Sequence, residues 1–239
     1  MNRQMSFSIV IPSRTWSNLE PCINAVRAAG QNERIILVDD GVEWDTRDVN
    51  GAPSKFGPRD IPNYFEQKLG ISVVPGVKPF VFARNCNIGI RAAGDDDVIL
   101  LNDDALLQDQ HGFTRLERAC TVDHSVGIIG ATTNITGQPL QWRKEVGLRL
   151  ARHFAFVCVY IPRRTIERVG LLDERYCLDY GVEDRDYCEA VNRAGMTCAV
   201  HDFCFVDHGS LVSSFRGDPK TPKGFSQNLK LFQQKWGIA

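Results

Sequence analysis

Apolar runs and helical stripes alternate through the first hundred residues. Residues 6–12 form an apolar run that predicts a strand. Pro12 closes it, because proline has no N–H to continue a ladder. Residues 19–29 carry helical spacing and end at Gly30. Residues 34–38 form a second buried run, 71–74 a third and 98–101 a fourth. Between the last two, residues 80–93 repeat with helical period up to Gly94. Fully apolar strands separated by helices point to a parallel sheet covered on both faces. Residues 42–70 are rich in proline, glycine and charge and read as a long connection, with one short helix at 64–68. The second half is more mixed. Strands are expected at 126–131, 140–143, 154–161, 197–200 and 204–206, and helices at 164–169 and 183–194. A polar loop then leads to a final amphipathic helix carrying Phe225, Leu229, Phe232 and Trp236.

The 239 residues are 43% hydrophobic and 24% charged, with a formal net charge of −1. That is the composition of a globular chain of one large domain. It has no built-in attraction for nucleic acid or anionic membrane, so nucleic acid is disfavoured as a partner. No apolar run reaches the ~20 residues of a spanning helix, and no signal-peptide core follows Met1, so a cytoplasmic protein is expected. Eight cysteines are spread without paired spacing and read as reduced thiols. Cys198, His201, Cys204 and His208 have the donor types zinc takes. They fall on apolar strand and turn positions, however, so a zinc site is not the favoured reading and His208 is given a separate role. Asn134-Ile135-Thr136 matches a glycosylation acceptor pattern, read as chance without a secretory signal.

Four polar clusters follow predicted strands: Pro12-Ser13-Arg14, Asp39-Asp40-Gly41, Asn102-Asp103-Asp104 and Asp207-His208. Each alone is an ordinary solvated turn. Together they line one edge of one sheet, where open α/β folds bind ligands. A fifth polar pair, Glu183-Asp184, opens a helix, where carboxylates also serve the helix dipole.

These segments, with 83–89 (ARNCNIG), 170–174 (GLLDE) and 181–186 (GVEDRD), give the chain a resemblance to family 2 glycosyltransferases from Phe7 to about Ser210. The resemblance implies an α/β single domain of the GT-A type. Its central sheet is mostly parallel and flanked by helices, with a small mixed acceptor-side sheet. Residues 1–107 would be the nucleotide-sugar half, 108–215 the metal and acceptor half, and 216–239 a lid loop and terminal helix. Pro12, Ser13 and Arg14 would underlie the nucleotide, and Asp39 or Asp40 would accept a hydrogen bond from base or ribose. Arg84 and Asn85 would face the nucleotide sugar, though Arg84 also fits a surface ion pair. Asn102-Asp103-Asp104 stands where the family has its DXD element, with Asn in first place. Asp104 would contact a divalent metal, Mn2+ favoured and Mg2+ possible. Asn102 and Asp103 would lie on the donor, and His208 would be a late metal ligand. Asp184 would be the general base of an inverting transfer to an acceptor hydroxyl, most simply that of a glycan. Glu183 would orient the acceptor or cap the helix.

A UDP-sugar is the favoured donor. Trp142 and Tyr180 are candidate stacking residues for an acceptor ring. Arg216, Lys220 and Lys223 are candidate lid cations. The last helix packs on its own domain or makes a homodimer contact. Two other readings stay open: a nucleotidyltransferase on a similar sheet, and a silent nucleotide-sugar-binding module.

Overall fold

Nine strands form one mixed sheet in a computed structural model that describes residues 6–40, 66–176, 181–213 and 221–238. β1 (Phe7–Ser13), β2 (Ile35–Asp39), β3 (Ser72–Pro75) and β4 (Asp97–Leu101) pair in parallel in the order β3-β2-β1-β4. β5 (Leu106–Leu107), β6 (Val126–Thr133), β7 (Leu148–Ala151), β8 (Cys158–Ile161) and β9 (Thr197–Asp207) complete the sheet. β8 pairs antiparallel with both β4 and β6, which joins the two halves. β9 runs parallel to β6 and carries β5 and β7 antiparallel on its far side. The mixed part is therefore continuous with the parallel part.

Alternation along the strands divides the interior into two cores. Ile9, Ile11, Leu37 and Ile99 face one side. There they meet Leu19, Ile23 and Val26 of α1 (Trp16–Ala28) and Phe113 and Leu116 of α3 (Gly112–Val122). Val10, Ile36, Val38 and Leu100 face the other. They meet Cys86 and Ile90 of α2 (Phe82–Ala92), Ile166 of α4 (Arg163–Val169), and Tyr187 and Val191 of α5 (Glu183–Arg193). A final helix, α6 (Thr221–Trp236), packs Phe232 against Tyr176 and Val182.

The second half departs from the expected pattern in particular places. Residues 140–143 are not a strand. Pro139–Gln141 forms one turn of 3-10 helix, and the Gln141 side chain takes the role of a neighbouring strand. Its Nε2 donates to the Ala155 carbonyl (2.9 Å) and its Oε1 accepts from the Ala155 amide (2.7 Å). With that main chain already satisfied by a side chain, 154–157 stays irregular and β8 begins only at Cys158. The strands expected at 197–200 and 204–206 are one strand, β9. Its register against β6 jumps between Ala131 and Thr132, leaving a bulge at 202–204. Asp202 fills that bulge fully buried, paired with Arg149 at 2.7 Å. α3, β5 and β7 were not expected. Of the expected helix at 64–68, residues 66–68 are helical and 64–65 lie outside the described residues.

Helix α2 lies directly on β1 and β2, because Gly89 has no side chain to hold it off. A Cβ there would stand 2.1 Å from Val10 Cγ1 and 3.0 Å from Val38 Cγ2. Both neighbours are fully buried branched side chains with nowhere to move. Gly89→Ala is expected to cost about 1–3 kcal/mol by overpacking, read as a lowered denaturation midpoint at unchanged m-value. An unchanged midpoint would mean that α2 can lift off the sheet without cost.

Candidate active site

The carboxyl ends of β1 and β4 lie side by side, and each delivers a polar turn to the same edge. Ser13 Oγ donates to Asp103 Oδ2 at 2.6 Å and accepts from the Thr15 amide at 3.1 Å. Asn18, in the first turn of α1, lies in hydrogen-bond reach of Asp103 and donates to the Val212 carbonyl at 2.7 Å. Desolvation pushes the Asp103 carboxyl up to about 7 against the opposing Ser13 hydrogen bond, and the neighbouring Asp104 adds to the rise. Asn18 was not foreseen, although it left a signal. It occupies the buried stripe of α1 with Leu19, Cys22 and Val26, and a polar residue on a core stripe needs a partner.

Asp104 is buried and meets His208, whose Nε2 stands 3.0 Å from Asp104 Oδ1. The His208 ring is oriented from its other side, since Nδ1 lies 2.9 Å from the Ile135 carbonyl. A carbonyl can only accept, so Nδ1 carries a hydrogen there. Nε2 then faces the Asp104 carboxylate. Two acceptors at that distance need a cation between or beside them, either a proton on Nε2 or a metal ion. Asn102, one turn away, has a buried side-chain oxygen with no hydrogen-bond partner among the described residues. The donor set of one carboxylate and one imidazole fits a divalent ion whose remaining ligands come from phosphate and water. Among the described residues, no third His, Cys, Asp or Glu joins them as a ready-made cage.

The turn that presents His208 is built by Asp207 and Asn134. Asp207 accepts from Asn134 Nδ2 at 2.7 Å, from the Gly209 amide at 2.9 Å and from the Ser210 hydroxyl. The Asn134 carbonyl oxygen accepts the His208 amide at 2.9 Å. These bonds, the one to Ser210 first, hold the Asp207 carboxyl below its usual range.

On the far side of β1, Pro12 is paired with Val38, and Asp39 and Asp40 close β2 beside Ser13. Asp40 is buried, and its amide donates to the Ser13 carbonyl at 3.3 Å. Desolvation raises its carboxyl, and Lys78 and Arg14 nearby pull against that rise. Arg14 also lies over the Phe80 ring at 5.3 Å and acts on Asp103, so it stands between the two acidic turns. Gly76 makes this possible, since a Cβ there would fall 2.8 Å from the Asp40 backbone.

Arg84 and Asn85 are not free to face solvent. Arg84 donates to the carbonyls of Val77 (3.3 Å) and Pro79, and Asn85 Oδ1 accepts the Val77 amide at 3.1 Å. The surface ion pair considered for Arg84 is not among the described contacts, and its guanidinium instead holds the 77–79 loop. Asn85 Nδ2 is buried without a partner among the described residues. Asn87 of the same segment has a similar holding role, bonding both the amide and the carbonyl of Leu172.

Glu183 and Asp184 open α5 on the same edge of the sheet. α5 feeds β9 through a tight turn at Gly195 (φ +75°), so it runs antiparallel to β9 and begins at the carboxyl end of the strands. Val182 caps it at φ 85°, a left-handed conformation that a β-branched residue rarely adopts. Desolvation raises both carboxyls, and the charge of Asp184 adds to the rise of Glu183. Asp184 accepts the Arg185 amide at 2.6 Å and is also bonded by the Phe156 amide, which resists its rise.

The zinc grouping, which was not the favoured reading, is not assembled. Cys198 lies in the core containing α5 and Cys204 in the core containing α3, so the sheet itself separates the two thiols of the zinc candidate. The seven described cysteines are all free and buried. Trp142 is half-exposed, with its carbonyl held by Arg149. Tyr180, Arg216, Lys220 and Gly41 lie outside the described residues.

The terminal helix packs on its own domain, through the buried carboxylate of Asp186. Oδ1 accepts Tyr176 Oη (2.8 Å) and Trp236 Nε1 (2.7 Å), and Oδ2 pairs with Lys235 Nζ (2.7 Å). Asp186→Ala strands Tyr176 Oη and Trp236 Nε1 and leaves Lys235 with Asp173 alone (2.9 Å), and is expected to cost about 3 kcal/mol. Limited proteolysis should then cut α6 first. Wild-type resistance of α6 in this variant would show that the apolar contacts of Phe232 suffice.

A model of the family described as Glycosyl transferase family 2 matches residues 8–157. No curated protein sequence matches. Among solved structures, GalNAc-T7 with UDP, GalNAc and Mn2+ is similar at a TM-score of 0.69 and 14% identity, covering 96% of this chain and 48% of that one. The mannosyltransferase PcManGT from Pyrobaculum calidifontis, in complex with GDP-Man and Mn2+, gives 0.70 and 14%, covering 100% and 66%. TarS of S. aureus gives 0.61 and 14%, covering 97% and 39%. The chain thus spans between about two fifths and two thirds of the length of these proteins. The matched span includes β1, β2, α2 and β4 with their polar turns, and the chain belongs to glycosyl transferase family 2, with the GT-A fold.

Proposed function

We propose that the protein is a divalent-metal-dependent, inverting glycosyltransferase that moves a sugar from a nucleotide diphosphate to an acceptor hydroxyl, most simply that of a glycan. The observation that carries this reading is the Asp104–His208 pair, a carboxylate oxygen and an imidazole nitrogen held 3.0 Å apart beside the Ser13–Asp103 bond. UDP, GDP-Man and Mn2+ in the similar structures support the same class of donor and ion. A UDP-sugar is the first donor to test.

In this reading Asp104 and His208 hold the ion, and Asn102 and Asp103 lie against the donor. Pro12, Ser13, Arg14 and one of Asp39 or Asp40 bind the nucleotide, an acceptor-only carboxylate suiting a ribose hydroxyl or base N–H. Arg84 and Asn85 act by fixing the 77–79 loop next to Asp40. When bound, the ion neutralises charge on the departing diphosphate. Asp184 removes the proton of the acceptor hydroxyl as that oxygen forms its bond to the anomeric carbon and the bond to the diphosphate oxygen breaks. A single displacement inverts the anomeric centre. Glu183, raised by desolvation and by the Asp184 charge while hydrogen bonds restrain Asp184, stays protonated further towards neutral pH and can donate a hydrogen bond to the acceptor.

Asp184→Asn is expected to lower kcat at least ~100-fold while donor-dependent thermal stabilisation persists. Asp104→Ala and His208→Ala should each lose the Mn2+-dependent part of that stabilisation, as should wild type with chelator. Near-normal turnover of Asp184→Asn would remove the base assignment, and metal-independent donor binding would remove the ion.

The pH profile has a definite sign. A base works only when deprotonated, and desolvation has raised the Asp184 carboxyl, so kcat/KM should climb with pH through the weakly acidic to neutral range. A rate constant across that range would show that Asp184 carries no proton in the rate-limiting step.

A further inference from the structure

Between α5 and α6, a pocket of about 150 Å3 is lined by Arg152, His153, Arg185, Glu189, Phe232 and Ile238. Its floor is apolar. Phe232 of α6 is buried, and the Arg185 guanidinium lies over its ring at 4.8 Å. Its charge is positive. Glu189 is the one acidic member, and it is already committed, with Oε1 on Arg193 at 2.7 Å and Oε2 3.8 Å from Arg152. Among the described residues, no carboxylate lies within ion-pair distance of Arg185. The half-buried His153 completes the wall as a neutral N–H donor, since burial and the two arginines hold its imidazole below the usual range. The 152–153 segment is fixed against α5, since Asn192 Nδ2 donates to the Arg152 carbonyl at 2.9 Å.

Two guanidinium groups and an imidazole around a space of this size suit one tetrahedral or planar oxyanion. Its placement narrows the source. Arg185 follows Asp184 directly, and the chain that leaves His153 reaches Phe156, whose amide bonds the Asp184 carboxylate. The pocket is therefore linked to Asp184 through Arg185 and through the 153–156 segment, and none of its lining residues belongs to the Asp103–Asp104 turn that would hold the donor.

We infer that this pocket binds a phosphate or carboxylate group carried by the acceptor, with Arg152 and Arg185 as its ligands and His153 as a further donor. The binding of an oxyanion stands on the pocket alone. Its assignment to the acceptor rests on Asp184 being the base, as proposed above.

Three measurements on the full chain test the inference. Inorganic phosphate, titrated at constant ionic strength to keep screening fixed, should saturate the His153 ring resonances. Arg152→Gln and Arg185→Gln should each weaken that binding about tenfold. Linear, non-saturating shifts, or equal affinity in the variants, would overturn the anion site. In transfer assays, a saccharide bearing a phosphate should have a lower KM than the same saccharide without it, and Arg152→Gln should erase that difference. Arg152→Gln should leave donor hydrolysis without acceptor unchanged, because Arg152 touches neither acidic turn. Saturable phosphate binding with equal KM for the two saccharides would overturn the acceptor assignment. Failure of the base reading looks different: phosphate still saturates His153 while Asp184→Asn retains turnover.

Discussion

Desolvated carboxylate at one edge of the sheet is the constraint around which the rest of the protein is arranged. Asp40, Asp103, Glu183 and Asp184 all have their acidity weakened chiefly by burial. Such an edge opposes folding, and two apolar cores offset it, one on each face of a continuous nine-stranded sheet. Among the described residues, the groups that restrain this rise are the Ser13 hydroxyl, the Asn18 side chain, the amides of Arg185 and Phe156, and the charges of Arg14, Lys78 and Arg185. Burial outweighs them in each case, the condition in which an added cation or a proton-bearing ligand is favoured.

The sheet also divides the work spatially. β1, β2 and β4 run in parallel and bring Ser13, Asp40 and Asp103 together from turns far apart in sequence. β8 then reverses direction, so that β6 and β9 carry the Asn134 and His208 turns back to the same edge. α5 returns its acidic pair to that edge from the other face. α6 braces α5 through Asp186 rather than standing apart as an appendage.

The parallel half was legible in the sequence because buried parallel strands are plain apolar runs and their turns are plain polar ones. The residues at those turns were legible for the same reason, and the structure brings Ser13, Arg14, Asp103, Asp104 and His208 into one neighbourhood. Two misreadings arise where side chains pair with backbone. Gln141 satisfies the main chain of Ala155, so the apolar sequence there stays irregular, and Asp202 with Arg149 fills a bulge that lets β9 run on through a polar interruption. α3 escaped notice because it opens with glycine and carries β-branched Thr114, Thr121 and Val122, which favour other conformations. Arg84 and Asn85 were named through the family resemblance as facing the nucleotide sugar, and the loop they grip depends on a fold that periodicity does not encode.

The Asn134 amide deserves a different accounting, because sequence offers it as a place for an oligosaccharide. In the folded protein its nitrogen is the donor to Asp207, and its oxygen holds the His208 amide. A sugar linked to that nitrogen would leave it one N–H, the one that must keep the bond to Asp207 for the turn to orient the His208 ring towards Asp104. The tripeptide and the site thus draw on the same amide.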